Sequence, residues 1–164
     1  MEKLLVSVLG SRNSGKSYTW NTLFGSTVRT GKKERSLYFN DCEYVKVFLV
    51  SGSPEERETY VGELITAEEP KIILCSMLYR ESVKATFSYF IEKGYFIFVH
   101  WLNPGYSDPD APYYDHLGLT NCLLSQQSLI GIRCGKKVAE PRVEEMREFI
   151  YGWAKPRNLV FNEI

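Results

Sequence analysis

The chain carries close to its start the pattern G-x-x-x-x-G-K-S, over residues 10–17. Its two glycines let the backbone turn tightly and approach an anion, so that successive N–H groups can point at a chain of phosphates. The ammonium of Lys16 would neutralise the β- and γ-phosphates, and the hydroxyl of Ser17 is a ligand that Mg²⁺ accepts. The nucleotide-binding residues predicted from this pattern are Gly10, Ser11, Arg12, Asn13, Ser14, Gly15, Lys16, Ser17 and Tyr18.

The segments on either side strengthen this interpretation. Residues 4–9 form an apolar run of strand length, which is typical of a buried parallel strand. Residues 18–24 contain no helix breaker and predict a helix whose positive N-terminal end faces the phosphates. The alternative is a glycine turn of no chemical consequence, which the strand–loop–helix context disfavours.

Composition narrows the class of protein. At 164 residues the chain is expected to be one domain spanning 1–164. Lys plus Arg equals Asp plus Glu at 20 each, so neither nucleic acid nor an anionic membrane is expected as the main partner. No apolar run has the length of a membrane span and no signal peptide is recognised, so a cytoplasmic location is expected. Four widely separated cysteines are interpreted as reduced, buried thiols: Cys42, Cys75, Cys122 and Cys134.

Strand and helix patterns alternate along the rest of the chain. Strands are predicted at 36–40, 44–50, 71–75, 95–101 and 129–134, with the first two forming a hairpin. Helices are predicted from a cap at Ser53 to about Thr66, at 81–93 and at 141–153. Residues 25–35 and 108–114 are expected to be loops. The predicted fold is α/β, a three-layer αβα sandwich of P-loop NTPase type, with a mostly parallel sheet and one antiparallel hairpin strand.

The loop and the first helix resemble the Era-like group of P-loop GTPases. Gly10-x-x-Asn13-x-Gly15-Lys16-Ser17, followed by Asn21, Leu23 and Gly25, carries this resemblance over about sixteen residues. The resemblance implies a switch loop at 26–35, in which Thr27 or Thr30 closes over Mg²⁺ and the γ-phosphate. It also implies that Asn13 could hold a monovalent cation such as K⁺.

Two family motifs are missing. The aspartate and glycine expected at the end of the hairpin's second strand are replaced by the sequence LVSG at 49–52, which keeps only the glycine. The guanine-reading Asn-Lys-x-Asp motif is replaced by HWLNP at 100–104. ATP and GTP therefore both stay open as ligands, and weak catalysis or none is compatible with the missing carboxylate.

Several other polar residues have two interpretations each. Glu55 is a candidate catalytic or metal-linked residue, whereas Glu56 is explained as the return half of a capping box. Arg12 could meet a γ-phosphate, a partner's acidic group or solvent. The basic run of Arg29, Lys32, Lys33 and Arg35 is expected to be a solvated loop, with docking as the alternative. His100 is expected to be a core histidine rather than a base.

Three functions follow from these residues. The first is a slow ATP or GTP hydrolase, or a nucleotide-dependent switch, that uses Mg²⁺ and acts with a protein partner. Lys16 and Glu55 are its predicted catalytic residues, and Ser17 and Thr30 its predicted metal ligands. The second is a small-molecule or nucleotide kinase, in which Arg80 and Arg133 would clamp phosphates and Asp41 or Asp108 would activate an acceptor. The third is a nucleotide-binding interaction module without chemistry.

Overall fold

The apolar run before the glycine pattern forms β1 (Leu4–Gly10), a central strand of the seven-stranded sheet. The computed structural model describes residues 2–163. β1 lies between β4 (Ile72–Leu78) and β5 (Phe96–Leu102) and is parallel to both. All seven residues of β1 are buried, which explains why the run is apolar throughout rather than alternating.

The strand order across the sheet is β2–β3–β4–β1–β5–β6. β2 (Arg35–Tyr38) and β3 (Glu43–Val50) form the predicted antiparallel hairpin, and β6 (Ser128–Arg133) is parallel to β5. A short β7 (Phe161–Asn162) pairs antiparallel with the start of β3. The predicted α/β class, with a mixed and mostly parallel sheet, is confirmed.

Helices cover both faces of this sheet. Successive β1 residues belong to different cores: Leu4, Val6 and Val8 to one, Leu5 and Leu9 to the other. The first core is closed by α1 (Lys16–Phe24) and α6 (Glu140–Ala154). The second is closed mainly by α4 (Val83–Glu92) and α5 (Leu119–Leu124).

The helix predicted from Ser53 to Thr66 is wrong. The segment forms two short helices, α2 (Pro54–Arg57) and α3 (Val61–Leu64). Glu58 between them has φ +52°, and this left-handed residue ends α2 after one turn. α5 and β7 were not predicted, because one is only six residues long and the other only two.

The topology brings the ends of the parallel strands to one edge. The loops after β1, β3, β4, β5 and β6 all begin there, whereas the β2–β3 turn that contains Asp41 lies at the opposite edge. Within residues 2–163, no helix combines the length and hydrophobicity that crossing a membrane requires.

Candidate phosphate-binding site

The loop between β1 and α1 is an open turn built on two residues with positive φ. Asn13 has φ +63° and Gly15, which precedes the first turn of α1, has φ +108°. Lys16 folds back over the turn, and its Nζ donates to the carbonyl of Ser11 at 2.8 Å. The lysine is only 7 % exposed, so its charge is held against the loop rather than in solvent.

A cavity of about 300 Å³ opens on this loop. Every residue from Arg12 to Tyr18 lines it, and Ser51–Ser53 and Glu56 form the facing wall. Ser17 is exposed at the start of α1, and Tyr18 is 45 % exposed beside it. The predicted nucleotide-binding residues therefore lie together, with Gly10 and Ser11 supplying the carbonyls nearest the Lys16 ammonium.

Glu56 enters the cavity from α2. Its Oε1 lies 3.5 Å from Lys16 Nζ, and its side chain is 31 % exposed. Burial lowers the pKa of Lys16, and the charge of Glu56 opposes that shift. The predicted cap is present, because Ser53 Oγ accepts from the Glu56 N–H at 3.1 Å. The Glu56 side chain, however, points to Lys16 in residues 10–17, the predicted phosphate-binding loop (hereafter the phosphate loop).

Glu55, the predicted catalytic carboxylate, lies elsewhere. It is 4 % exposed, and its Oε1 accepts from the Leu78 N–H at 2.7 Å. Its other oxygen accepts from the Thr86 hydroxyl on α4. Burial raises the pKa of Glu55. In this structure Glu55 links α2 to β4 and α4, and Glu56 is the carboxylate beside Lys16.

Thr30, the predicted metal ligand, is held by the segment after β3. Its hydroxyl accepts from the Ser51 N–H at 2.9 Å and from Arg57 Nη2 at 2.7 Å. These two bonds use both lone pairs of the hydroxyl, so Thr30 could ligate a metal only after Arg57 or Ser51 moves away. Thr27, its alternative, is exposed.

Asn103 ties the loop to two others. Its side chain donates to the Ser14 carbonyl at 3.0 Å and to Asp108 at 2.7 Å, and it accepts from the Gly135 N–H at 2.7 Å. Asn103 itself has φ +56°, which Asn tolerates better than most residues. The sequence indicated only a turn here, since the partners of Asn103 are distant along the chain.

Gly135, like Asn103, has a role in the site that the sequence did not indicate. A Cβ on Gly135 would lie 1.9 Å from the Ser14 carbonyl, and a Cβ on Gly15 would lie 2.1 Å from the Gly135 carbonyl. The two backbones therefore touch, and neither position has room for a side chain. This contact places the β6–α6 loop directly beside the phosphate loop.

Two cationic side chains reinforce that contact. Lys136 donates to the Asn13 carbonyl and lies 3.0 Å from Asp108 Oδ1. Arg142 is buried on α6 and donates to Thr19 on α1 at 3.0 Å and to the Cys134 carbonyl at 3.0 Å. Its guanidinium also lies 5.6 Å from the ring centre of Tyr18. Arg142 thus fixes α1 against the β6–α6 loop.

The residues that would serve a kinase are dispersed. Asp41 is at the far edge of the sheet, and Asp108 is engaged by Asn103 and Lys136. Arg133 makes two hydrogen bonds to the carboxylate of Glu145. Arg80 is exposed next to the phosphate loop, where the Tyr79 N–H donates to the Gly10 carbonyl at 3.1 Å.

His100 is a core histidine, as predicted. It is fully buried, and its Nε2 lies 2.8 Å from Glu145 Oε1.

The basic loop is bonded to neighbouring residues. Arg35 donates to the Arg29 carbonyl, and the Lys32 carbonyl accepts from Thr66. The loop backbone is thereby attached to its surroundings.

The prediction that the four cysteines are buried is wrong for two of them. Cys75 is buried and Cys134 is partly buried, but Cys42 and Cys122 are exposed.

No protein-family model, curated protein or solved structure matches this chain. Among residues 2–163, no group of three or more His, Cys, Asp and Glu side chains is placed to hold a metal ion. The functional argument therefore depends on the geometry of the loop and its surroundings.

Proposed function

We propose that this protein binds a nucleoside triphosphate with Mg²⁺ on residues 10–17, as a P-loop protein, and acts as a slow ATP or GTP hydrolase or a nucleotide-dependent switch. The observation that carries the proposal is the position of Lys16. It is a buried ammonium at the start of α1, behind a turn with two positive-φ residues, and the Glu56 carboxylate lies 3.5 Å from it in the cavity where an anion would bind. A lysine held in this way has the chemistry of a phosphate-binding group.

The residues around the cavity fit Mg²⁺ as part of this complex. The Ser17 hydroxyl and the Glu56 carboxylate both line it and are hard oxygen ligands. The ion, when bound, would neutralise phosphate charge, and phosphates and waters would complete its coordination. Two protein ligands alone are too few to hold Mg²⁺ without the nucleotide.

The switch hypothesis is supported by the hydrogen bond that attaches residues 26–35 to α2. Thr30 is bound by Arg57, and the adjacent Glu56 is bound by Lys16. A phosphate that displaced Glu56 from Lys16 would move α2 and so loosen Thr30, which a protein partner could sense. Potassium at Asn13 stays a prediction, and so does the choice between ATP and GTP.

A phosphotransferase is the second candidate, and Arg80 favours it. This exposed guanidinium and Arg12 both line a cavity of about 240 Å³ next to the phosphate loop, where an acceptor would have to bind. Phosphate release separates the two candidates. A hydrolase or switch releases inorganic phosphate without an acceptor, whereas a kinase releases little and, once an acceptor is added, forms the nucleoside diphosphate and the phosphorylated acceptor.

The test of nucleotide binding is a thermal-shift titration with ATP, GTP and their diphosphates, with and without Mg²⁺. The melting temperature of the wild type should rise with triphosphate concentration. Lys16→Ala should keep the fold and weaken the triphosphate about tenfold or more, because a charge-assisted contact contributes ~1.5–3 kcal/mol. Lys71→Ala removes the same charge at the opposite edge of the sheet and should bind normally. Nucleotide binding at this loop is refuted if Lys16→Ala binds like wild type or if no triphosphate raises the melting temperature at millimolar concentration.

A further inference from the structure

A second cavity, of about 420 Å³, lies between α2, α4 and the end of β4. Its volume is within the range that small-molecule sites occupy. It is separate from the cavity of the phosphate loop, because the two share no lining residue. Tyr60, Arg80 and Ala85 form part of its walls, and the buried Glu55 lines it from within.

The buried carboxylate of Glu55 gives the cavity a hydrogen-bond acceptor. Glu55 accepts from the Leu78 N–H at 2.7 Å and from the Thr86 hydroxyl. A carboxylate has about four acceptor positions, so these two bonds leave room for a ligand donor. The Leu78 and Thr86 bonds also fix the orientation of the carboxylate, as a binding group requires.

Arg80 gives the cavity a cation. Its Nη1 donates to the main-chain carbonyl of Glu55 at 3.3 Å, which holds the guanidinium at the wall of the cavity that Glu55 also lines. Its other N–H groups make no hydrogen bond to the residues that the structure describes at 2–163. They are therefore able to form the paired bonds that a planar guanidinium makes to a carboxylate.

The third feature is an apolar wall. Tyr60 is 50 % exposed, and its ring packs edge-to-face on Tyr89 with the centres 5.9 Å apart. Pro54 and Ala85 lie on the same cavity. A half-exposed aromatic ring that a second ring holds in place is suited to packing against an apolar ligand group.

We propose that this cavity binds a small α-hydroxy or α-amino acid with an aromatic or branched apolar side chain. Arg80 binds the ligand carboxylate, Glu55 accepts from the ligand hydroxyl or ammonium group, and Tyr60 packs against the side chain. An α-substituted acid carries a donor and a carboxylate in one small molecule, and Glu55 and Arg80 line one cavity. The site needs no nucleotide, so it does not depend on nucleotide binding at residues 10–17, but it uses the same Arg80 that lines the cavity of about 240 Å³ described for a phosphotransferase.

The experiment titrates the full chain by isothermal calorimetry with L-phenyllactate and L-phenylalanine. At least one of them should bind with a Kd of about 1 mM or below, the range that ligands of this size reach. The analogue 3-phenylpropionate keeps the carboxylate and the ring but lacks the donor, and it should bind at least about fivefold more weakly. A preference for phenyllactate assigns the hydroxy acids, and a preference for phenylalanine assigns the amino acids.

Variants locate the binding. Arg80→Gln should weaken the preferred acid about tenfold or more, and Tyr60→Ala should weaken both acids and the analogue alike. Lys71→Ala removes an exposed charge at the opposite edge of the sheet and should leave acid binding unchanged. The proposal is overturned if neither acid binds, if 3-phenylpropionate binds as tightly as the preferred acid, if Arg80→Gln has no effect, or if Lys71→Ala removes the binding.

Discussion

Glu56 Oε1 lies 3.5 Å from Lys16 Nζ, on the face of the lysine that looks into the cavity of the phosphate loop. A carboxylate at this distance offsets part of the positive charge of the buried ammonium, which a bound phosphate would otherwise offset. Any polyanion that binds Lys16 must compete with Glu56, unless a divalent cation joins the two acidic groups. Glu56 therefore controls access to the lysine on which the proposed function depends.

Glu56→Gln should strengthen triphosphate binding in the absence of Mg²⁺. The pair is partly exposed, and such pairs contribute less than about 1 kcal/mol, so a two- to fivefold fall in Kd is expected. Fluorescent-nucleotide titration in EDTA measures this, with Glu58→Gln at the end of the same helix as the control. If Glu56 is a ligand of the proposed Mg²⁺, the gain should shrink when Mg²⁺ is present. Weaker binding of Glu56→Gln in EDTA would contradict the competition.

Thr30→Val should loosen the predicted switch loop. It removes the acceptor of the Ser51 N–H and of Arg57, and a buried N–H left without a partner costs about 1–3 kcal/mol. Hydrogen exchange at the amide of Ser51 should accelerate, because this amide loses its acceptor. Exchange at Gly31 should accelerate as well, since Gly31 follows Thr30 and donates to the Leu49 carbonyl at the end of β3. Thr27→Val changes an exposed threonine of the same loop and should leave exchange unchanged. Equal exchange in wild type and Thr30→Val would show that these bonds do not hold the loop.

The segment that holds the phosphate loop could be predicted from sequence, because its conformation depends on residues that are close together in the chain. A buried strand, a glycine turn and a helix start are consecutive between Leu4 and Phe24, and the structure has each of them. The hairpin of β2 and β3 could be predicted for the same reason, because its two strands are close together in the chain.

The roles of Glu55 and Glu56 could not be predicted in this way. The cap on Ser53 is local and was predicted correctly, but it fixes only the backbone of Glu56. The side chain of Glu55 is directed by Leu78 and Thr86, which lie 23 and 31 residues away. Asn103 reaches Ser14 over 89 residues for the same reason: parallel strands bring loops from distant parts of the chain to one edge.

Gly135→Ala should disrupt the contact between the β6–α6 loop and the phosphate loop. Its Cβ would lie 1.9 Å from the Ser14 carbonyl, so the backbone must shift, at a cost of about 1–3 kcal/mol or more. Gly152→Ala is the matched control, since a Cβ there meets nothing within 4 Å and the residue lies inside α6. That control should gain up to about 1 kcal/mol. Urea unfolding compares the two, and equal stability of both variants would contradict the close packing.

Stability should fall as the pH drops below about 6.5, and His100 is one cause. Burial lowers the pKa of His100 in the folded protein to about 4 from an ordinary 6.5, although Glu145 opposes that shift. Between these values the unfolded chain binds a proton that the folded chain does not, so acid favours unfolding. The loss is complete near pH 4 and amounts to about 3 kcal/mol at most, at 1.36 kcal/mol per pKa unit. The Cε1–H resonance of His100, followed by NMR from pH 7 downwards, measures the shift directly, and a midpoint near 6.5 would show that burial does not keep this ring neutral.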